Sequence, residues 1–171
     1  MDVRLLTEQD ADDFVRLRLE ALTTTPQAFG RAPEESLPWP PDTVASRMRA
    51  VPEGNFLVGA FDGPRMVGEA GFFRHEGIKI RHKGTIWGVY VTDAARGRGA
   101  ARAMLNLILE RLRSYPDLEQ VLLSVATSQD AARALYGSLG FEVFGCERRA
   151  LKIGETYADE EHRVLWLRKS P

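Results

Sequence analysis

The segment best suited to bind a charged ligand combines two glycines with nearby arginines, at a point where an apolar strand gives way to a helix. It runs over residues 89–101 as Val-Tyr-Val-Thr-Asp-Ala-Ala-Arg-Gly-Arg-Gly-Ala-Ala. The arginines in and just after it are Arg96, Arg98 and Arg102. A helix N-terminus carries unpaired backbone N–H groups and a partial positive charge, which together suit a phosphate. Gly97 and Gly99 let the backbone approach a ligand closely. The segment is equally compatible with a surface loop whose arginines cover a helix start.

Two well-known phosphate motifs do not occur in this sequence. No Gly-x-x-x-x-Gly-Lys-Ser/Thr segment is present, so a Walker-type loop is excluded. Arg102 stands where the third glycine of Gly-x-Gly-x-x-Gly would be, so a dinucleotide-binding fold is not expected.

Composition narrows the class of protein further. The chain has 171 residues, 23 Lys+Arg against 24 Asp+Glu and a formal net charge of -1, which argues against a polybasic nucleic-acid binder. A single cysteine, Cys146, rules out an intrachain disulfide and a cysteine-based zinc site, and no metal is expected. No apolar run reaches the roughly 18 residues of a membrane span, and no signal peptide begins the chain. We therefore expect one cytoplasmic domain over 1–171.

Hydrophobic periodicity indicates the elements that position the glycine–arginine segment. The predicted helices cover residues 8–22, 42–50, 98–113 and 130–139. The predicted strands are Val3–Leu6, Asn55–Phe61, Met66–Phe73, Thr85–Val91, Val121–Val125, Phe141–Phe144 and Arg163–Leu167. Asp62-Gly63 predicts a hairpin between the second and third strands, and an acidic loop is expected between the last two. The order favours an α+β fold, with a mixed sheet and helices on its faces.

Two motifs in this order resemble the GCN5-related N-acetyltransferase (GNAT) superfamily. Arg96-x-x-Gly99-x-Ala101 is similar to its Arg/Gln-x-x-Gly-x-Gly/Ala signature. Ala132-x-x-Leu135-Tyr136-x-x-x-Gly140-Phe141 is similar to a later block of the family, one helix and one strand downstream. The resemblance covers nearly the whole chain. It implies a mostly antiparallel, mixed sheet of six to seven strands with about four helices, splayed where acetyl-CoA binds.

The resemblance implies an acetyl-CoA site residue by residue. The pantetheine arm would pair with the strand segment Val89, Tyr90 and Val91. The pyrophosphate would lie on the loop formed by Arg96, Gly97, Arg98, Gly99, Ala100 and Ala101, in agreement with the anion site inferred above. Tyr136 would be the general acid for the departing thiolate, with a packed aromatic residue as the alternative. Gln129 stands where the family often has an asparagine, so it would offer its amide to the cofactor in that residue's place.

The implied reaction is direct transfer of an acetyl group to a primary amine, without a covalent enzyme intermediate. Some family members carry a glutamate near the position of Thr85, which cannot act as a base. A hairpin that turns near Gly77 would bring Glu69 opposite Thr85, on the same face of the sheet. Glu69 is therefore the predicted base, acting through water, unless it is only a solvated or ion-paired carboxylate. His75 and His82 are weaker candidates.

The acceptor side carries the least information. The family lines this cleft with the connection after its first helix and with its last hairpin loop, here roughly residues 29–39 and 152–161. Phe29, Tyr157 and Glu160 are the predicted substrate-binding residues, since carboxylates beside a cleft attract a cationic amine. A solvated acidic turn is an equal alternative. Cys146 on a terminal strand is expected to be a small core residue rather than a nucleophile.

We expect an acetyl-CoA-dependent N-acetyltransferase, with a small-molecule amine slightly favoured over a peptide or protein. Family members are often homodimers, so a homodimer is expected as well. A non-catalytic acyl-CoA-binding sensor of the same fold remains the alternative, because Gln129 departs from the family and the base is unassigned. Tyr136 argues against that alternative, because a protein that only binds the cofactor has little need of a phenol at its sulfur.

Overall fold

The computed structural model describes residues 1–35, 41–49 and 53–168, which form a seven-stranded sheet with helices on both faces. The strands are β1 Asp2–Leu5, β2 Phe56–Asp62, β3 Arg65–Arg74, β4 Lys83–Val91, β5 Gln120–Ala126, β6 Glu142–Ile153 and β7 Thr156–Trp166. Their order across the sheet is β1-β2-β3-β4-β5-β7-β6. β4 and β5 are parallel, whereas every other neighbouring pair is antiparallel. The predicted mixed, mostly antiparallel α+β sheet is thus confirmed.

In the described part of the chain, four α-helices flank the sheet. They are α1 Ala11–Thr24, α2 Pro41–Met48, α3 Ala100–Arg113 and α4 Asp130–Ser138. α3 buries Leu105, Ile108 and Leu112 on one stripe, as the helical period predicts. Gly140 follows α4 with φ +92°, the left-handed conformation that commonly ends a helix. Each of the four predicted helices is therefore confirmed, with small shifts at the ends.

Two apolar clusters lie on opposite faces of the sheet. The first holds the buried stripe of α3 together with Tyr136 and Phe141. The second packs α1 and α2 against the other face, around Phe14, Leu17 and Met48. Helices α1 and α2 therefore cover the β1–β4 side of their face.

The last hairpin differs from the prediction. β6 and β7 pair from Glu142 with Val164 to Ile153 with Thr156, so most of the expected acidic loop is strand. The turn is confined to Gly154, at φ +58°, and Glu155. Low β-propensity of the charged residues suggested a loop, but cross-strand pairing overrides that weak preference.

Two other predictions are affected by the structure. Cys146 lies exposed on β6 and does not belong to the core, because that strand forms the edge of the sheet. Trp39, at the end of the predicted acceptor connection, lies outside the described residues, as does the last residue of the predicted helix 42–50. Among the described residues, no helix is both long and apolar enough to cross a bilayer.

Candidate active site

The sheet opens between its two parallel strands. β4 and β5 pair only from Lys83–Thr85 against Gln120–Leu122, and they diverge beyond that point. The divergence coincides with a bulge in β4: Tyr90 pairs with Glu69 and Trp87 with Gly71, so two β4 residues lie opposite one of β3. Gly88 within this bulge has φ +65°, a conformation that glycine adopts without strain. A gap of about 90 Å³ lies between Gly88–Val89 and the end of β5.

The glycine–arginine segment lies at the end of β4 and forms the start of α3. Gly97 and Gly99 have φ +73° and +83°, and an added Cβ at either position would meet nothing within 4 Å. In the described chain, no side chain caps the N-terminus of α3 and no acidic residue stands in its first turn. The first N–H groups of α3 and its positive dipole end are therefore directed at open space, as an anion site requires.

A cavity of about 390 Å³ joins this helix start to the gap in the sheet. It is lined by nine of the predicted cofactor residues: Val89, Tyr90, Val91, Arg96, Gly97, Gly99, Ala100, Ala101 and Gln129. Arg98 is the exception, because its guanidinium turns away and donates to Asp62 at 2.7 Å. Arg102, which directly follows the motif, does line the cavity. Apolar residues line one part of the cavity and Arg96 and Arg102 line another, which fits a pantetheine arm and a pyrophosphate.

Two side chains at the α4 side of this cavity bear on the chemistry. Gln129 immediately precedes α4 and lines the wall of the cavity. Tyr136, only 6% exposed, lines both this cavity and the gap between β4 and β5. Burial raises the pKa of Tyr136 to about 12, and the positive charge of Arg163 acts in the opposite direction. The phenol is therefore protonated at neutral pH, the state that a proton donor needs.

Glu69 does not take the position that we predicted. The hairpin turns later in the chain than Gly77, so Phe73 lies opposite Thr85. The bulge then shifts the pairing by one further residue, so Glu69 lies opposite Tyr90. Its side chain is 1% exposed and meets Arg18 of α1, with Oε1 3.4 Å from Nη1. Burial raises the pKa of Glu69 to about 8, and the nearby guanidinium of Arg18 opposes that rise. Its other oxygen, Oε2, is buried without a hydrogen-bond partner.

Arg18 is a site residue that sequence reasoning missed. Its guanidinium carbon lies 4.9 Å from the centre of the Phe29 ring and 5.5 Å from that of Trp87, and it lines an open groove beside the gap. Phe14, Leu17, Arg18 and Ala21 recur at the spacing of the buried face of α1. A charged residue at a core-facing position was the available signal.

The groove beside the gap has a volume of about 500 Å³ and is the candidate acceptor cleft. Phe29 and Glu160, two of the three predicted substrate residues, line it. Tyr157 does not, because it lies beside the turn of the last hairpin, 49% exposed and stacked with Arg149. Burial raises the pKa of Glu160, although His162 lowers it.

Three polar side chains that the sequence analysis did not single out form a connected row beside this groove. Ser124 Oγ lies 2.9 Å from His162 Nδ1, and His162 Nε2 lies 3.3 Å from a Glu147 oxygen. The available signal was Ser124 itself, the one polar residue in the predicted strand Val121–Val125. His75 and His82, the weaker candidates, line neither cavity, although His75 Nε2 contacts Oγ1 of Thr85, a residue of the groove wall, at 2.8 Å. In the described part of the chain, no three His, Cys, Asp or Glu side chains are grouped to hold a metal ion.

Comparison with known proteins agrees with this geometry. The sequence model of the acetyltransferase (GNAT) family matches residues 18–141. The chain is 37% identical over 116 residues to the N-alpha-acetyltransferase RimI of Mycobacterium tuberculosis. The matched region covers 68% of this chain and 69% of that protein.

Two solved structures have the same fold. An acetyltransferase of the GNAT family from Streptococcus pneumoniae superposes with a TM-score of 0.85 at 17% identity, covering 96% of this chain and 98% of that one. The yncA protein of Salmonella typhimurium, solved with its cofactor acetyl-CoA, superposes with a TM-score of 0.81 at 19% identity. That superposition covers 100% of this chain and 96% of the yncA chain. The likeness extends across all seven strands and not only the motif region.

Proposed function

This chain belongs to the acetyltransferase (GNAT) family and is an acetyl-CoA-dependent N-acetyltransferase, and from that premise we propose that its acceptor is the N-terminal α-amine of a peptide or protein. The observation that carries the proposal is the junction of two cavities at the gap between β4 and β5. One cavity leads from the gap to the uncapped start of α3. The other is a wide groove that opens to solvent on the far side.

The groove is large enough for the first residues of a chain. Its volume of about 500 Å³ exceeds the need of a single amino group, and pockets of this size hold ligands as large as a drug molecule. The relative from Mycobacterium tuberculosis is named as an N-alpha-acetyltransferase, which supports the same class of acceptor.

The chemistry also favours an α-amine. Its ordinary pKa is about 7.7–8.0, whereas that of a lysine side chain is about 10.4. An α-amine therefore loses its proton at neutral pH with only modest help. Glu160 beside the groove would attract the ammonium form before that step.

We propose that the acetyl transfer is a direct attack within a ternary complex. The neutral amine attacks the thioester carbonyl in the gap, with the backbone N–H near Val89 stabilising the oxyanion. The bulge supports this role, since it takes Gly88 and Val89 out of register with β3. The thiolate departs toward Tyr136, whose buried phenol donates a proton. In the same proposal Gln129 and the loop from Arg96 to Ala101 hold the cofactor.

Glu69 remains a candidate base that would act at a distance. A pKa of about 8 suits a general base near neutral pH. Its carboxylate is buried beneath Arg18, however, and only Arg18 of the pair lines the groove. Any proton would have to pass through water beside that guanidinium.

A free amino acid is the second candidate acceptor, and Arg18 is the observation that favours it. Its guanidinium lines the groove and is held by two aromatic rings. Arginine binds a carboxylate in a bidentate manner. In a peptide the same group would bind a backbone carbonyl.

The test is a matched set of acceptors assayed for release of the CoA thiol, with the acetylated atom located by mass spectrometry. The set holds a peptide with a free N-terminus and an internal lysine, the same peptide with a blocked N-terminus, and the free first amino acid. We expect acetylation only of the free N-terminal peptide, at its α-amine. Acetylation of the blocked peptide at lysine, or of the free amino acid alone, would contradict the proposal.

A further inference from the structure

The row of Ser124, His162 and Glu147 lies on the same face of the sheet as α1 and α2, over the strands that these helices leave uncovered. Thr85 of β4 lies opposite Leu122, so Ser124, two residues further along β5, shares the face of Thr85. Ser124 pairs with His162 of β7, and Glu147 of β6 pairs with Glu160, two residues before His162. Opposite residues of paired strands share a face, so the row points to the acceptor side of the sheet.

When the imidazole of His162 is neutral, only one assignment of donors and acceptors fits the hydrogen bonds of this row. A carboxylate accepts and never donates, so Nε2 of His162 carries the hydrogen that is directed at Glu147, across 3.3 Å. In a neutral imidazole the other nitrogen is then unprotonated. Nδ1 therefore accepts from the Ser124 hydroxyl, 2.9 Å away. This arrangement leaves the oxygen of Ser124 with a lone pair for a third group.

Ser124 lies where the two halves of the reaction must meet. It lines the gap between β4 and β5, where Val89 and Tyr136 are also found. It also lines the wide acceptor groove, together with Glu160. An amine that moves from the groove toward a thioester held in the gap passes beside this hydroxyl.

We propose that Ser124, His162 and Glu147 form the relay that takes the proton from the acceptor amine, an inference that rests on the proposed function. As the amine nitrogen forms its bond to the thioester carbonyl carbon, its proton passes to Ser124 Oγ. The proton that Ser124 already carried moves to His162 Nδ1, giving an imidazolium whose Nε2–H is held by Glu147. The C–S bond then breaks, and the thiolate takes its proton from Tyr136.

The relay resets through solvent. The side chain of His162 is 32% exposed, so it can return its proton to water, and Tyr136 regains one from the same source. Over the cycle one amine proton is lost and one thiol proton is gained.

The groups around His162 suit an arriving positive charge. β6 supplies Glu147 and the ring of Phe144, whose centre lies 6.1 Å from that of the imidazole. β5 supplies Ser124, and β7 itself supplies Glu160, whose charge interacts with His162. Histidine is the side chain best suited to exchange protons near neutral pH. Glu69, by contrast, is sealed beneath Arg18 and lines neither cavity.

The first experiment compares His162→Gln, Ser124→Ala and the double variant with the wild type, using whichever amine the wild type turns over. His82→Gln is the matched control, because the described hydrogen bonds of His82 run through its backbone carbonyl. We expect each single variant to lower kcat about 100-fold or more, within the range of a positioned acid or base. The double variant should lose little more, since the residues act as one unit. Acetyl-CoA affinity, measured by calorimetry, should stay within about twofold in all of them.

The pH profile separates a relay from a structural role. The relay predicts that kcat of the wild type rises with pH to a plateau and that this rising limb is absent in His162→Gln. His162→Gly should regain turnover when free imidazole is added, whereas a misfolded variant would not. A His162→Gln enzyme within about threefold of wild type, beside a Glu69→Gln enzyme that has lost about 100-fold, would overturn the relay in favour of Glu69.

A second measurement needs no acceptor at all. Long-range ¹H–¹⁵N NMR of the three imidazoles reports which ring nitrogen of each carries its hydrogen. We expect the Nε2–H tautomer for His162, with a shift of its signals in Glu147→Gln. The Nδ1–H tautomer would overturn the relay.

If no peptide is acetylated but another amine is, only the α-amine proposal fails, and the relay is tested on that amine. If no amine reacts, the NMR result decides the relay alone.

Discussion

Glu69→Gln should flatten the pH dependence of folding, because this carboxyl is the most deeply buried acid in the described structure. The wild-type side chain is 1% exposed, and burial raises its pKa from 4.5 to about 8. Between these two values the folded chain keeps a proton that the unfolded chain releases. The stabilisation is therefore complete below about pH 4.5 and is lost as the pH rises toward 8.

The size of the effect follows from that gap. Each unit of pKa difference is worth about 1.4 kcal/mol, so the full gap sets an upper bound of about 5 kcal/mol. The opposing effect of Arg18, 3.4 Å away, is already contained in the pKa of about 8. Part of the titration lies outside the interval from about pH 5 to pH 8, so the loss measured within it is smaller than the bound. We expect a loss on the order of 2–4 kcal/mol in the wild type between pH 5 and pH 8. In a chain of this size that corresponds to a fall in Tm of roughly 5–10 °C.

The assay is thermal unfolding at a series of pH values across that interval, for the wild type, Glu69→Gln and Glu110→Gln. Glu110 is exposed on α3 and serves as the matched control. Glutamine cannot titrate, so Glu69→Gln should lack the part of the slope that the control retains. Parallel Tm profiles for all three proteins would refute the assignment of a proton to Glu69 at neutral pH.

Three further predictions concern the cofactor side and the first helix. Tyr136→Phe should lower kcat about 100-fold or more in steady-state assays, with acetyl-CoA affinity by calorimetry within about twofold; a kcat near wild type would exclude the phenol as the acid. Gly99→Trp should weaken acetyl-CoA binding at least about tenfold relative to Gly99→Ala, because the indole fills the mouth of the anion site. Gly99→Ala is the control for the strain at this positive φ. Equal affinities of the two variants would place the pyrophosphate elsewhere. Asp10→Asn should cost about 1–3 kcal/mol in urea unfolding at neutral pH, because Asp10 accepts from Arg4 and Thr7. These donors lower its pKa from 3.8 to about 2, so this stability is present above about pH 4 and is lost as pH falls toward 2, and a wild type with no such acid loss would contradict the assignment.

The conformation of the proposed cofactor loop could be predicted from sequence because its determinants are local. A strand, two glycines and a helix start lie within 13 consecutive residues, 89–101. The backbone there needs only positive φ at Gly97 and Gly99, together with an uncapped helix. No distant contact is required to orient these N–H groups, so pattern alone located them.

The acceptor side depends on register, which pattern alone could not supply. β3 and β4 pair from Arg74 with Gly84, so the hairpin turns near residue 79 and not near Gly77. The extra residue of the bulge adds one more position, so Glu69 lies opposite Tyr90 and not Thr85. A shift of one residue changes which side chains share a face. The same difficulty concealed Ser124, His162 and Glu147, which lie on three strands and meet only because β7 pairs between β5 and β6. Ser124 and His162 are 38 residues apart and His162 and Glu147 are 15 apart, so no local pattern signals their contact.

The bulge at Gly88 connects the two halves of the proposed mechanism. If β4 stayed in register with β3 and continued to pair with β5, no gap would exist for a thioester, and β4 would lie directly beside Ser124. Because β4 bends away after Thr85, the same departure opens the cavity toward α3 and exposes Ser124 to the groove. A side chain at Gly88 would have to adopt φ +65°, and its Cβ would lie 3.0 Å from Nη1 of Arg18. Gly88→Ala should therefore disturb cofactor binding and acceptor binding together, whereas Gly99→Ala should affect the cofactor alone, and steady-state kinetics with each substrate varied in turn distinguish the two.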